Sequence, residues 1–178
     1  LGGGLGIRYR DETPPTPAEY VEALYQKLGE LPYEIILEPG RAIAGNAGIL
    51  VSKVEYLKST ADKNFAIVDA AMNDLMRPAL YQAWQEIIAV NLDSSNTTRQ
   101  YDIVGPVCES ADFLGKDRKL PEPNEGHCLV VYDAGAYCQS MSSNYNMKLT
   151  CAEYWVDGDQ LYQIRKDPDL DQYLSVFD

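Results

Sequence analysis

The stretch TPAEYVEALYQKLGELPYEIILEPGR, Thr16–Arg41, decides how the first part of this 178-residue chain is read. Thr16 stands where a helix N-cap belongs, Pro17 takes the first helical position and Glu19 completes a capping box, so the donors a helix leaves free at its start are satisfied. Gly29 supplies the stop. Tyr20, Val21, Leu24, Tyr25 and Leu28 fall on one stripe, which is expected to be buried. The following YEIILEPGR carries a continuous apolar core, Ile35 to Leu37, the pattern of a strand covered on both faces in a parallel sheet. Upstream lies LGGGLGIRYR, Leu1–Arg10, whose glycines suit a tight turn leading into the helix. Turn, helix and buried strand make one β-α-β unit, and such a unit alone leaves sheet edges open. It is expected to complete a sheet whose other strands are not in this sequence.

Beyond Ala44 the pattern changes. ILVSKVEYLKST and NFAIVDA flank the turn-forming ADKN and read as a hairpin. YDIVGPVCE and CLVVYDAGAY read as two further strands, separated by GKDRKLPEPNEG, a polar and proline-rich loop. RPALYQAWQEI has helical character, with Leu80, Trp84 and Ile87 spaced to bury one side. The C-terminal RKDPDLDQYLSVFD fits either a solvated tail or a last helix on the sheet. The expected fold class is therefore α/β plus all-β: a β-α-β part over residues 1–45, then a mostly antiparallel β domain over 46–178.

With 46% hydrophobic and 24% charged residues the chain has the makings of a packed core. A net charge of -12 argues against sequence-independent binding to nucleic acid or to an anionic membrane, both of which need a surplus of Lys and Arg. Any anionic ligand must be held by a local cluster. No apolar run approaches the length of about 20 residues that a spanning helix needs. Cys108, Cys128, Cys138 and Cys151 form no C-x-x-C pair and are too sparse for a disulfide scaffold, which favours a reducing compartment. The NTT triplet at Asn96 matches a glycosylation acceptor by a pattern common in any sequence.

Candidate chemistry is weak residue by residue. GGGLG is compatible with a mobile turn or with a cradle for an anion. EPGR sets Glu38 and Arg41 around a Pro-Gly bend past a strand, a place for ligand contacts or for a surface salt bridge. Arg77 and Tyr81 are four apart and share a face if helical, so they either grip a carboxylate together or divide into an exposed Arg and a packed Tyr. In VCES, Cys108 and Glu109 are either a reactive pair or an inert thiol beside a solvated acid. His127 is the only histidine, which disfavours a histidine-based metal site or triad, and no metal is expected.

In order, GGGLG, EPGRAIAGNAG, NDLMRPALYQAW, GPVCESAD and DAGAYCQSMSSNYN resemble the diaminopimelate decarboxylases, pyridoxal phosphate (PLP) enzymes with an alanine-racemase-like barrel followed by a β domain. The resemblance runs to about Asn146 and implies that residues 1–45 are the last β-α-β part of a (β/α)8 barrel. It implies that Gly2, Gly3 and Gly4 cradle the cofactor phosphate, that Glu38 faces the pyridine nitrogen, and that Gly40 and Arg41 line the phosphate and substrate side. It further implies that Arg41, Arg77 and Tyr81 hold the distal carboxylate of meso-diaminopimelate, and that Tyr137 closes over cofactor and substrate. Cys108 as proton donor and Glu109 as reader of the distal ammonium would come from the neighbouring subunit of a homodimer. Ornithine and arginine decarboxylases resemble EPGR and the cysteine, but their substrates leave two arginines unexplained.

The family's Schiff-base lysine has no counterpart here: Lys27, Lys53 and Lys58 lie outside its motif. The chain is therefore expected to be a C-terminal portion, inactive alone, of an enzyme of the bacterial cytoplasm or a plastid stroma. A second class of reading is a non-catalytic, decarboxylase-like binding or regulatory protein. A chain that only binds has no chemical need of the whole residue set.

Overall fold

The computed structural model describes residues 1–90 and 97–177, so Asn96 lies outside the described residues. Helix α1, Pro17–Leu28, forms as its caps dictate: Thr16 Oγ1 accepts from the Glu19 amide, and the Glu19 carboxylate accepts from the Thr16 amide. Gly29 ends it in a left-handed conformation, φ 65°, with its amide on the Tyr25 carbonyl. The expected buried stripe needs correction. Tyr20, Leu24 and Leu28 are half-buried, while Val21 and Tyr25 face solvent, because no described element packs on that face.

The two strands expected around α1 also need correction. Residues 1–4 and 34–38 belong to no described strand. They run side by side, the Leu1 amino group donating to the Ile36 carbonyl and the Glu38 amide to the Gly2 carbonyl. Ile36 is exposed, since the described residues offer no neighbouring strand to cover it. Helix α2, Gly40–Ala44, then leads through a tight turn at Gly45–Ala47 into the β domain.

That domain is a six-stranded mixed sheet of β1 Leu50–Ser59, β2 Asn64–Val68, β3 Ile87–Ala89, β4 Thr98–Val104, β5 Phe113–Pro121 and β6 Cys128–Val131. The order is β3-β6-β1-β2-β4-β5, antiparallel except for β2 against β4. Its end strands β3 and β5 approach each other, Ile87 reaching Gly115, so the sheet nearly closes. Strict alternation in β1 sends Leu50, Ser52 and Val54 inward and Val51 and Lys53 outward. With Val68, Ile103, Leu114, Leu120, Leu129 and Val131 they form the core. Inside it, Ser52 donates to Asp69 and accepts the Ala70 amide, which engages its proton and one lone pair.

β5 replaces the loop expected at Gly115–Gly126. Lys116, Asp117 and Lys119 mask its period, and Arg118, only 5% exposed, lies 3.2 Å from the Trp84 ring centroid and packs as an apolar plate. Burial brings the Arg118 pKa down to about 10. Helix α3, Arg77–Tyr81, stops at Gln82, which is left-handed, φ 52°. Leu80 is consequently exposed and Ile87 belongs to β3, so the expected helical face over Leu80, Trp84 and Ile87 does not form. A hairpin absent from the sequence expectations follows, β7 Glu153–Asp157 and β8 Gln160–Arg165, turned by Gly158 at φ 60°. The signal was present: Gly158-Asp159 between β-forming residues is a two-residue hairpin turn pair. Helix α4, Leu170–Leu174, is short and exposed. Among the described residues no helix is long and apolar enough to cross a membrane.

All four cysteines are free thiols. Burial first, with the nearby Cys151, Asp74 and Glu153, pushes the Cys138 thiol up to about 12, whereas Cys108 is exposed. At pH 8 the Cys138 thiolate fraction is then roughly one in ten thousand. Brief iodoacetamide treatment of the native protein at that pH is expected to alkylate Cys108 and spare Cys138. Peptide mass spectrometry checks this, and equal labelling of the two would refute it.

Candidate active site

Two backbone clamps assemble the site. In the first, the Ala134 amide donates to Gly48 and the Gly135 amide to Gly45, and a Cβ on Gly135 would collide with the Ala44 carbonyl. This clamp, with Asn46 donating to Asp133, sets α2 and its Arg41 against the Asp133–Tyr137 loop. In the second, fully buried Asn73 donates to the carbonyls of Ser143 and Tyr145, and buried Asp74 accepts from the Ala71 amide and from Lys148 at 2.7 Å. The Cys138 thiol donates to the Asp74 carbonyl. Arg77, three residues on, is thereby delivered to the same loop. Sequence reasoning had these residues inside its motifs and gave Asn73 and Asp74 no role. Their burial depends on partners some 70 residues away.

The result is a knot of tyrosines and arginines. The Arg41 guanidinium lies 5.9 Å from the Tyr9 ring centroid and 5.2 Å from that of Tyr137. The Arg77 guanidinium lies 5.5 Å from Tyr9, 5.5 Å from Tyr137 and 5.8 Å from Tyr81. Tyr137 occupies the left-handed region, φ 61°, a strained conformation for a residue with a Cβ that aims its ring into the knot. Among the described residues neither arginine has a carboxylate partner, although the chain carries a net charge of -12. Two like charges gathered on the same rings and left without a counter-ion make a place for an anion, and the two planar forks suit a carboxylate.

Beside this knot lies the glycine run. Gly4 has φ 96°, and a Cβ on Gly3 would collide with the Glu38 carbonyl, so the backbone itself forms the surface there. Tyr20 donates its hydroxyl to the Gly3 carbonyl and fixes the loop from behind. The amides of Gly2, Gly3 and Gly4 donate to no other described group, and the Glu38 carboxylate has no ion pair or hydrogen bond among the described residues. Free amides at close-approach glycines and an unengaged carboxylate are a donor and acceptor set that fits a phosphate at one end and a protonated pyridine nitrogen at the other. Gly40 and Arg41 join this cradle to the arginine knot.

Cys108 and Glu109 stand apart. They are exposed on a turn that Asp112 closes, its two oxygens accepting the Met72 and Val107 amides at 2.7 Å each. Burial holds the Asp112 carboxyl above its ordinary range despite these bonds. Glu109 accepts from Tyr145, whose hydroxyl the Glu109 charge pushes up. Among the described residues no hydrogen bond, ion pair or ring contact links Cys108 or Glu109 to Arg41 or Arg77. Asp112→Ala would leave two amides unpaired in a part-buried turn and is expected to cost about 2–5 kcal/mol. Urea denaturation measures this, and a loss within error of zero would show that the turn does not depend on Asp112.

The comparisons with known proteins bear on both clusters. The C-terminal sheet domain of pyridoxal-dependent decarboxylases matches residues 20–135. A diaminopimelate decarboxylase of Vibrio cholerae is 57% identical over 177 residues, which are 99% of this chain and 42% of that protein. A probable chloroplastic diaminopimelate decarboxylase of Oryza sativa is 46% identical, covering 100% of this chain and 37% of that protein. The crystal structure of diaminopimelate decarboxylase from Helicobacter pylori complexed with L-lysine superposes with a TM-score of 0.91 at 37% identity, over 99% of this chain and 43% of that one. The chain thus spans less than half the length of the relatives it matches.

Proposed function

This chain belongs to the pyridoxal-dependent decarboxylase family, and from that premise we propose that it is the C-terminal part of an enzyme converting meso-diaminopimelate to L-lysine and carbon dioxide. The observation that carries the reading is the pair of unpaired guanidiniums, Arg41 and Arg77, converging on Tyr9 and Tyr137. Ornithine and arginine, whose far ends carry an amine or a guanidine and no carboxylate, have no use for them. A substrate with a second carboxylate at its far end does.

The free amides of Gly2, Gly3 and Gly4 would hold the phosphate of pyridoxal phosphate, with Gly40 and Arg41 beside it, and Glu38 would keep its ring nitrogen protonated. The cofactor supplies a ring that takes up the electron pair left behind as carbon dioxide departs. Arg41, Arg77 and Tyr81 bind the distal carboxylate and so fix which end of the molecule reaches the cofactor. Tyr137 covers the pocket and excludes water. Cys108 and Glu109, which do not reach the arginines of their own chain, serve the site of a second copy in a homodimer. There Glu109 meets the distal ammonium and Cys108 gives its thiol proton to the carbon that lost the carboxyl group. Supply and demand of such a substrate place the enzyme in the cytoplasm of a bacterium or in a plastid stroma.

The test is carbon dioxide release by the intact protein, loaded with pyridoxal phosphate, from meso-diaminopimelate, ornithine and arginine in parallel. A site built around a carboxylate is expected to prefer meso-diaminopimelate by on the order of 10⁴-fold in kcat/KM. Turnover of ornithine or arginine alone would refute the substrate. Failure of borohydride to fix a pyridoxyl group on the intact protein would refute catalysis and leave a binding role.

A further inference from the structure

Tyr9 has no role in the motifs above, yet its ring, like that of Tyr137, lies near both arginines, at 5.9 Å and 5.5 Å. Its position is set firmly. Leu5 and Ile7 before it are buried, Ile7 packs against Gly45 at the end of α2, and the Glu12 carboxylate accepts the amides of Tyr9 and Arg10. The Tyr9 hydroxyl is buried and has no hydrogen-bond partner among the described residues, and the same is true of Arg77 Nε. A guanidinium has donors only, so neither arginine can take the phenolic proton. Three donor groups, two guanidiniums and a phenol, therefore lie together, and the phenol oxygen, the one acceptor among them, takes no hydrogen bond from the described residues. The group that satisfies them all is acceptor-only and negatively charged.

Resting on the reading that Arg41 and Arg77 bind the distal carboxylate, we propose that Tyr9 is a third, specificity-determining member of that subsite. Its ring keeps the two like-charged guanidiniums at a fixed spacing through their attraction to the π face. Its hydroxyl donates to the bound carboxylate. Tyr9 thus reads the carboxylate and not the distal ammonium, which falls to Glu109.

The experiment compares Tyr9→Phe with wild type in the intact, cofactor-loaded protein. The loss of one hydrogen bond to a charged group is expected to raise KM for meso-diaminopimelate about tenfold while kcat changes less than about twofold. L-lysine, which keeps the carboxylate, is expected to bind about tenfold more weakly by calorimetry, and cadaverine, which lacks it, with unchanged affinity. Tyr9→Leu, which also removes the ring, loses a further factor of about ten for L-lysine. Unchanged L-lysine binding in Tyr9→Phe, or an equal loss for L-lysine and cadaverine, would overturn the proposal, the second pointing to a merely structural residue. Wild type that binds L-lysine but fails to release carbon dioxide from meso-diaminopimelate would instead sink the catalytic reading and leave the Tyr9 comparison intact.

Discussion

Arg77→Ala in the intact, cofactor-loaded protein is expected to lower kcat/KM for meso-diaminopimelate by about 10³-fold, most of it in KM. Arg77 contributes a fork whose Nε is buried without a partner, and it is held against Tyr9, Tyr81 and Tyr137 by the Asn73–Asp74 clamp. Alanine removes two charge-assisted hydrogen bonds to the carboxylate and leaves Arg41 to hold it alone. Arg77→Lys keeps the charge but not the planar fork, and is expected to recover less than about a tenth of the lost activity. Weak turnover of ornithine, which has no distal carboxylate, should be unaffected by either change. A loss shared equally by both substrates would mean that Arg77 acts through the fold and not on the carboxylate.

Cys108→Ala is expected to reduce kcat by about 10²–10⁴-fold with KM little changed, the signature of a lost proton donor. The geometry adds a sharper test. No described contact links Cys108 to Arg77 within one chain, and the proposed homodimer pairs Arg77 of one copy with Cys108 of the other. At substrate well below the raised KM, dimers of Arg77→Ala alone or of Cys108→Ala alone are expected to turn over little, but a mixed dimer contains one site with both residues native. Dissociating and reassociating an equal mixture should restore about a quarter of wild-type activity, because half the dimers are mixed and each has one working site. No recovery above the parent variants would place both residues in the same chain's site and overturn the shared arrangement.

Much of this was legible in the sequence where the signal is local. The capping box of α1, the hairpin across Ala61–Asn64 and the strands carrying YDIV and CLVV formed as read, since each depends on neighbours within a few residues. Of the residues that the resemblance names, Arg41 lies 5.2 Å from the Tyr137 ring, and Arg77 lies 5.5 Å from that of Tyr137 and 5.8 Å from that of Tyr81. What escaped depends on distant contacts. Arg118 read as a loop charge because its partner Trp84 lies 34 residues away in sequence and on another element. Leu80 and Ile87 read as one helical face because nothing local announces that Gln82 turns left-handed. Ile35 to Leu37 read as a buried strand on hydropathy alone, and no described strand lies beside it to form a ladder. Tyr9 escaped for the same reason: its place between two arginines is made by the fold and leaves no spacing to read.

The most direct measurement is a crystal structure of the intact protein with pyridoxal phosphate and L-lysine. The account predicts the lysine carboxylate between the Arg41 and Arg77 guanidiniums, within hydrogen-bonding distance of both and of the Tyr9 hydroxyl. A lysine bound with its carboxylate elsewhere, and the two arginines still unpartnered, would contradict it.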